Sequence, residues 1–468
     1  MRKNSIYKLL LAGIVPFLLI SCFAAKEYER PEIKELSEGL YRSDKFPQDS
    51  LNMATISWTE IFTDPLLKGH IEEGLENNID IRIAIQQMLA AEAYVKQGNA
   101  SYFPTLSAGP SVSHQILSRN SQFGSFFNGN ITQYDITGNL SWEADIWGRI
   151  RSNDRAFTAA YLQSAAAHKA VKTQLIATIA TNYYQLLSLD EQLRIAEQTL
   201  ATRKSSLETT EALKTAGIVT EVGVQQTKAQ LHTAEALVVQ LKNQIRLLEN
   251  SFSILLAAGP QEIARTELSN QSIEAPLYTG VPAQLLRNRP DVIAAEYNLI
   301  NAFELTNAAR ANFYPSLTLT AAGGFQSLEL DKLLNANSLF ATLGASLLQP
   351  ILNKRQIRTQ YEVSQAQQQQ ALLNFKQTIL IAGREVSDAL SNYQASTERI
   401  EILKNQYEAY NKASEYSEEL LNNGLVNYLE VLTARENALS SQLNLINAEY
   451  KKLNSTVNLY KALGGGWQ

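Results

Sequence analysis

Residues Thr132 to Trp147 read TQYDITGNLSWEADIW, and apolar and polar side chains alternate along the run. Tyr134, Ile136, Leu140, Trp142 and Ile146 share one parity with the small residues Gly138 and Ala144. Gln133, Asp135, Thr137, Asn139, Ser141, Glu143 and Asp145 hold the other. A period of two over this length is a strand with one greasy face and one wet face. Three more segments alternate in the same way, at about 104–117, 315–326 and 338–350. Leu106, Ala108, Val112 and Ile116 oppose Thr105, Ser107, Ser111 and Ser113 in the first of them. Leu317 and Leu319 oppose Thr318 and Thr320 in the next, and Leu339, Ala341, Leu343, Ala345 and Leu347 oppose Thr342, Gly344 and Ser346 in the last. Ten to fifteen residues is the length of a membrane-spanning strand.

The pattern occurs twice. SYFPTLSAGP (Ser101 to Pro110) echoes NFYPSLTLTA (Asn312 to Ala321), and AGIVTEVGV (Ala216 to Val224) echoes NGLVNYLEV (Asn423 to Val431). Asn78-Ile79-Asp80-Ile81 likewise precedes the first strand pair as Arg289-Pro290-Asp291-Val292 precedes the second. A nearly constant offset is the mark of an internal duplication. Each half runs helix, strand pair, long helix, turn, long helix. The first repeat is placed at 58–260, with long helices at about 148–216 and 218–257. A linker follows at 261–281, and the second repeat at 282–464 has long helices at about 354–422 and 425–463. Leu425, Leu432, Leu439, Ile446, Leu453 and Tyr460 recur every seven residues, as coiled-coil packing requires. A helix over 354–422 would reach about 100 Å. Gly217 and Gly424 mark the tips of the two hairpins, where a left-handed residue ends one helix before the next begins.

The N-terminus predicts export. Arg2, Lys3 and Lys8 precede an apolar run from Leu9 to Ile20, which is too short to span a bilayer. The segment closes on Leu19-Ile20-Ser21-Cys22, which resembles a bacterial lipobox: 1–21 is then a signal peptide, Cys22 the lipidated first residue, and 22–57 a lipidated arm. Two or three acyl chains at about 0.8 kcal/mol per buried CH2 make a stable anchor. Phe23 is not the Asp of the inner-membrane retention signal, so the resemblance implies the outer membrane.

Four strands cannot close a barrel with an interior, and a membrane sheet cannot leave its edges unpaired. The chain must therefore share strands with copies of itself. Two copies give eight strands filled by side chains, and three give twelve around water. The polar Asp135, Asn139, Glu143 and Asp145 favour three. A soluble sandwich edge would alternate too, but would need neither long coiled-coil helices nor a lipid anchor. Catalysis has no foothold. There is one cysteine, four scattered histidines, no phosphate loop, no GxSxG elbow and no HExxH pair. No cofactor or metal site is expected, and a net charge of -5 without a basic block gives no reason to expect nucleic acid.

These features together resemble the outer-membrane factor family, the TolC-like channels of Gram-negative bacteria, in the lipoprotein branch that serves tripartite multidrug efflux pumps. The pieces that carry the resemblance are the lipobox, Leu285-Leu286-Arg287-Asn288-Arg289-Pro290-Asp291-Val292, the paired Phe/Tyr-Pro strand entries, and Gly424 followed by Tyr428-Leu429-Glu430-Val431-Leu432. The resemblance implies an α+β membrane protein: a trimeric 12-stranded outer-membrane β-barrel, four strands per chain, continued by a periplasmic α-helical coiled-coil barrel. It implies as partners a periplasmic adaptor at the Gly217 and Gly424 tips, an inner-membrane transporter of RND type, and outer-membrane lipid. The family closes its periplasmic mouth near the second hairpin with the pattern Y-L-D-V-L-D-A. Here the gate candidates are Leu429, Glu430, Thr433 and, one turn on, Glu436; Thr433 lacks the second acid, and Gly223 stands where the first hairpin's acid belongs. The resemblance makes the chain a passive exit duct for drugs or other small toxic compounds. The other readings are a TolC-like exit channel for protein secretion and a lipid-anchored structural coiled coil.

Overall fold

The computed structural model describes residues 25–32, 40–42, 53–122, 124–125, 130–271 and 284–467. The signal segment 1–21 and Cys22 lie outside the described residues. Eleven elements carry the fold: α1 (Pro65–Asn77), α2 (Ile79–Ala100), β1 (Thr105–Ile116), β2 (Asn130–Ala144), α3 (Arg149–Thr215) and α4 (Glu221–Leu255), then α5 (Pro290–Ala311), β3 (Ser316–Ser327), β4 (Leu339–Leu348), α6 (Gln356–Asn422) and α7 (Tyr428–Ala462). The duplication is present in the element lengths. Helices α3 and α6 both have 67 residues, α4 and α7 both 35, and α2 and α5 both 22. None of the described helices is long and apolar enough to cross a membrane.

The chain divides into two compact units. One holds the N-terminal arm, the four strands and the parts of α2, α3, α5 and α6 nearest to them in sequence. Its sheet is an antiparallel meander in the order β1-β2-β3-β4. The registers place Leu106, Leu140, Ala321 and Leu343 in one row across all four strands, and Pro110, Ile136, Phe325 and Leu339 in another. Between these rows, on the opposite face, run Ser107, Asn139, Ala322 and Thr342. The two faces expected from the alternation are therefore continuous sheet surfaces. Edge and centre differ sharply. Every residue of β1 is exposed and nearly every one of β4, whereas β2 and β3, with a strand on each side, are mostly half-buried. At Gly324 an added Cβ would run into the Ile136 carbonyl, so glycine allows the close approach of β2 and β3 there.

The alternation of the first repeat runs to Trp147, but β2 stops at Ala144. The reason is local. The Asp145 carboxylate accepts from the Ile150 and Arg151 N–H groups at 2.8 and 2.9 Å and caps α3, so it leaves the wet face of the strand. Trp147 turns away to stack on Tyr314, with ring centroids 4.7 Å apart, and its Nε1 donates to the Pro315 carbonyl. Trp142 donates in the same way to the Tyr102 carbonyl. Both Phe/Tyr-Pro strand entries are thus pinned by an indole. Aromatic residues at the strand ends are the girdle of a membrane barrel.

In the same unit the arm straps along α5. The Asn307 side chain accepts from the Lys26 N–H and donates to its carbonyl, Tyr28 packs edge-on to Phe303, and Arg30 forms a two-pronged pair with Glu296 at 2.6 and 2.7 Å. The bidentate geometry is the strong form of the Arg–carboxylate contact.

The second unit splices helices end to end. Asn78 donates to the Leu255 carbonyl at the end of α4 while its Oδ1 accepts from the Asp80 and Ile81 N–H groups at the start of α2. In the other repeat Arg289 takes this position. Buried at 6% exposure, it donates to the Ala462 carbonyl at the end of α7 and grips Asp291 in the first turn of α5 and Glu385 on α6. The carboxylates hold its guanidinium above the usual range against the opposing pull of burial. Orphan carbonyls at a helix end need such donors. Arg289-Pro290-Asp291 is therefore a splice between two helices as well as a helix entry.

The sheet generates a direct test. Leu140→Arg places a charge on the apolar face and is expected to cost about 2–4 kcal/mol if it lies at mid-bilayer depth. Asn139→Arg, on the wet face, is expected to assemble normally. Urea unfolding of outer-membrane extracts followed by the barrel's gel mobility reads both; equal damage would undo the assignment of faces.

Candidate functional site

The two hairpin tips are built alike. Gly217 and Gly424 have φ of 78° and 72°, a left-handed conformation that only glycine adopts without strain. The Gly217 N–H donates to the Lys214 carbonyl and the Ile218 N–H to the Leu213 carbonyl; Gly424 and Leu425 repeat both bonds onto Leu421 and Leu420. This is the Schellman arrangement, and it satisfies the last carbonyls of α3 and α6. Helix α7 consequently starts at Tyr428, not at Leu425, which heads the heptad row in sequence but stands 71% exposed at its tip, as Ile218 does at the tip of the other hairpin. Thr220 and Asn427 occupy the N-cap positions, and only Asn427 caps with its side chain, accepting from the Glu430 N–H at 3.1 Å. A Lys214–Glu221 ion pair spans the first tip; Tyr428 stands at the place of Glu221 in the second.

Three of the four gate candidates come together. Leu429, Glu430 and Thr433 line one groove of about 370 Å3 on α7, facing Tyr410 and Ala413 of α6. All three are exposed, and the Thr433 hydroxyl is turned back onto the Leu429 carbonyl at 2.9 Å. Glu436 is not part of this groove. Its carboxylate accepts at 2.6 Å from Arg203 of α3, which is 6% exposed and also donates to the Gln230 carbonyl of α4. Arg435 answers in the reverse sense, donating to Glu418 of α6 at 2.6 Å and to the Ser206 hydroxyl of α3 at 2.7 Å. Each hairpin thus contributes one arginine that bonds the other helix of its own hairpin and a helix of the other hairpin. Sequence reasoning missed this clasp, since Arg203 and Glu436 are 233 residues apart and no motif joins them. Of the heptad residues, Leu241, Ile245 and Phe252 on α4 and Leu432, Ile446, Val457 and Tyr460 on α7 are buried, while Leu439 and Leu453 are half-buried.

No group of three His, Cys, Asp or Glu side chains that could hold a metal occurs among the described residues. The arrangement offers a sheet with one apolar face, two hairpins of long helices and a groove near the second tip in which Glu430 lies among largely apolar surroundings. The model of the outer membrane efflux protein family matches the chain twice, over residues 70–257 and 281–465, one match per repeat. The chain is 30% identical over 466 residues to the probable efflux pump outer membrane protein TtgC of Pseudomonas putida, covering 98% of this chain and 96% of that protein. It is 28% identical to the cation efflux system protein CusC of Escherichia coli, covering 98% and 99%. The solved structure of the outer-membrane channel OprN superposes with a TM-score of 0.84 at 26% identity, covering 95% of this chain and 99% of that one.

The chain belongs to the outer membrane efflux protein family. It is an outer-membrane efflux component with a periplasmic helical extension, and its family is one of ducts.

The clasp separates the two acids experimentally. Glu436→Ala, which strips a buried arginine of its counter-ion at a half-exposed site, is expected to cost about 1–2 kcal/mol. Glu430→Ala keeps the Asn427 cap and is expected to change stability by less than about 0.5 kcal/mol. Thermal unfolding followed by helical circular dichroism checks the pair, and equal losses would show that Glu436 bears no special load.

Proposed function

We propose that the chain is the passive exit duct of a tripartite efflux system, with three copies sharing their strands in one 12-stranded barrel. The observation that carries this reading is the pair of unpaired edges, β1 and β4, on a sheet with one continuous apolar face. In lipid each free N–H and C=O costs several kcal/mol, so both edges need partners. The wet rows then line a channel, and the duct does no chemistry of its own.

Cys22 is the lipid anchor in this reading. Lys26 is bonded to Asn307, four residues from the end of α5 and close in sequence to β3. The tips at Gly217 and Gly424, with Ile218 and Leu425 exposed beside them, are the surfaces offered to a periplasmic adaptor, and an RND-type inner-membrane transporter supplies the energy. The groove of Leu429, Glu430 and Thr433 forms the gate: three Glu430 carboxylates about one axis repel one another and favour cations, as acidic rings do. Glu436, held by Arg203, links hairpins within one copy and is secondary to the gate. The cargo is a small toxic compound. The relatives' names include both general efflux and cation efflux, and the transporter makes that choice.

Deleting the gene is expected to raise sensitivity to antibiotics or solvents at least fourfold, with secreted proteins unchanged. Loss of a secreted protein without drug sensitivity would reverse the reading. In planar bilayers Glu430→Ala is expected to raise single-channel conductance in the closed state; an unchanged value would put the gate elsewhere.

A further inference from the structure

Alternation alone sets three acids on the wet face of the second strand segment: Asp135, Glu143 and Asp145. The structure accounts for two of them. Asp145 caps α3, and Glu143 is neutralised by Arg149, whose Nε and Nη2 donate to its two oxygens at 3.0 and 2.6 Å. Asp135 is left, and it has no ion pair among the described residues. We infer that Asp135 sets the charge preference of the barrel, favouring cations over anions at a place separate from the Glu430 gate. The inference rests on the shared-barrel reading above and adds the sign of charge that the barrel wall selects.

No other charge in the wall offsets it. The four strands contain neither lysine nor arginine, and Asp135 and Glu143 are their only acids. Their one histidine, His114, has the parity of the apolar face and stands opposite Thr132. Asp135 itself is level with Ser111 on β1 and Gln326 on β3, both neutral, and the next two wet rows toward the helices carry no charge on any strand. The loops 117–129 and 328–338 hold Arg119, Glu329, Asp331 and Lys332, two of each sign, with Lys332 on Glu329 at 2.6 Å. The carboxylate is also held in place. Gln133, two residues away on the same face, donates from Nε2 to both of its oxygens at 3.0 and 3.1 Å. A neutral amide orients the group and leaves its charge whole, whereas the guanidinium on Glu143 cancels one.

Three copies set three such carboxylates about one axis. Twelve strands about 4.8 Å apart and tilted by about 40° close a cylinder of roughly 12 Å backbone radius. A carboxylate reaching about 3 Å inward is then roughly 9 Å from the axis, inside the Debye length of about 10 Å at 0.1 M salt. At 0.01 M salt that length is about 30 Å and the three fields overlap across the bore; at 1 M it is about 3 Å and the axis is screened. A preference set by this ring is therefore strong in dilute salt and lost in concentrated salt.

Reversal potentials in planar bilayers under a KCl gradient, with full-length protein extracted from outer membranes, test the inference. Glu430→Ala serves as the parent, so that the gate's acid does not contribute. The parent is expected to favour K+ over Cl− about tenfold near 0.01 M salt and less than about twofold near 1 M. Asp135→Asn, which keeps the side chain's size and an acceptor for Gln133, is expected to bring the dilute-salt ratio below about twofold. Asp135→Cys modified with a cationic thiosulfonate reagent is expected to favour Cl−, and an anionic reagent to restore the preference for K+. The parent treated with the same reagents is the control, since Cys22 is its only cysteine. Trimers that conduct with the parent's ratio after Asp135→Asn, or a ratio indifferent to the sign of the reagent, would overturn the inference and leave the shared barrel standing. A parent that is monomeric in native mass and does not conduct would remove the barrel and the inference together.

Discussion

A sheet in lipid cannot leave backbone donors and acceptors without partners, and this constraint governs the rest of the molecule. Four strands in a meander satisfy three seams internally and leave two edges open. The apolar face shows that the sheet is meant for hydrocarbon, so the open edges cannot be left to water. Lengthening the meander within one chain was one solution; repeating a two-stranded unit and sharing it among copies is the one taken here. The helices follow from the same unit. Each repeat returns from its strand pair through 67 residues of helix, turns on a left-handed glycine and comes back through 35.

Duplication also solves a problem at the helix ends. The returning helices stop where the short ones start, which leaves carbonyls of one facing amides of the other. Asn78 settles this in the first repeat by accepting at one end and donating at the other. Arg289 settles it in the second with a longer reach and a charge, and the charge then draws in Asp291 and Glu385. One position does the same work with two chemistries. The tips show the reverse: one backbone turn serves both hairpins, while the side chains around it differ, with Glu221 and Gly223 in the first and Tyr428 and Glu430 in the second. Divergence at the tips is concentrated where the duct is proposed to meet its partner and to close.

Much of this was legible in the sequence because the periods are strict. The alternation from Thr132 onward, the echo of SYFPTLSAGP in NFYPSLTLTA and the seven-residue rows each record a repeating geometry, and the fold class follows from them. What the sequence did not give away depends on single contacts. Asp145 continues the alternation, yet its carboxylate is worth more as a cap on α3 than on the wet face of β2. Leu425 continues the heptad, yet the Schellman turn at Gly424 excludes it from the helix. Glu436 sits one turn past the expected gate, yet Arg203, contributed by another hairpin, claims it. Periodicity reports the face on which a residue lies; it does not report which distant side chain will reach it.

The central claim is that three chains share one barrel and that each is anchored by lipid at its first mature residue. Native mass spectrometry of the protein extracted from outer membranes in detergent tests it most directly. The account predicts a trimer whose subunits begin at Cys22 and carry the mass of acyl chains. A monomer would leave β1 and β4 without partners in lipid and would contradict the account at its root.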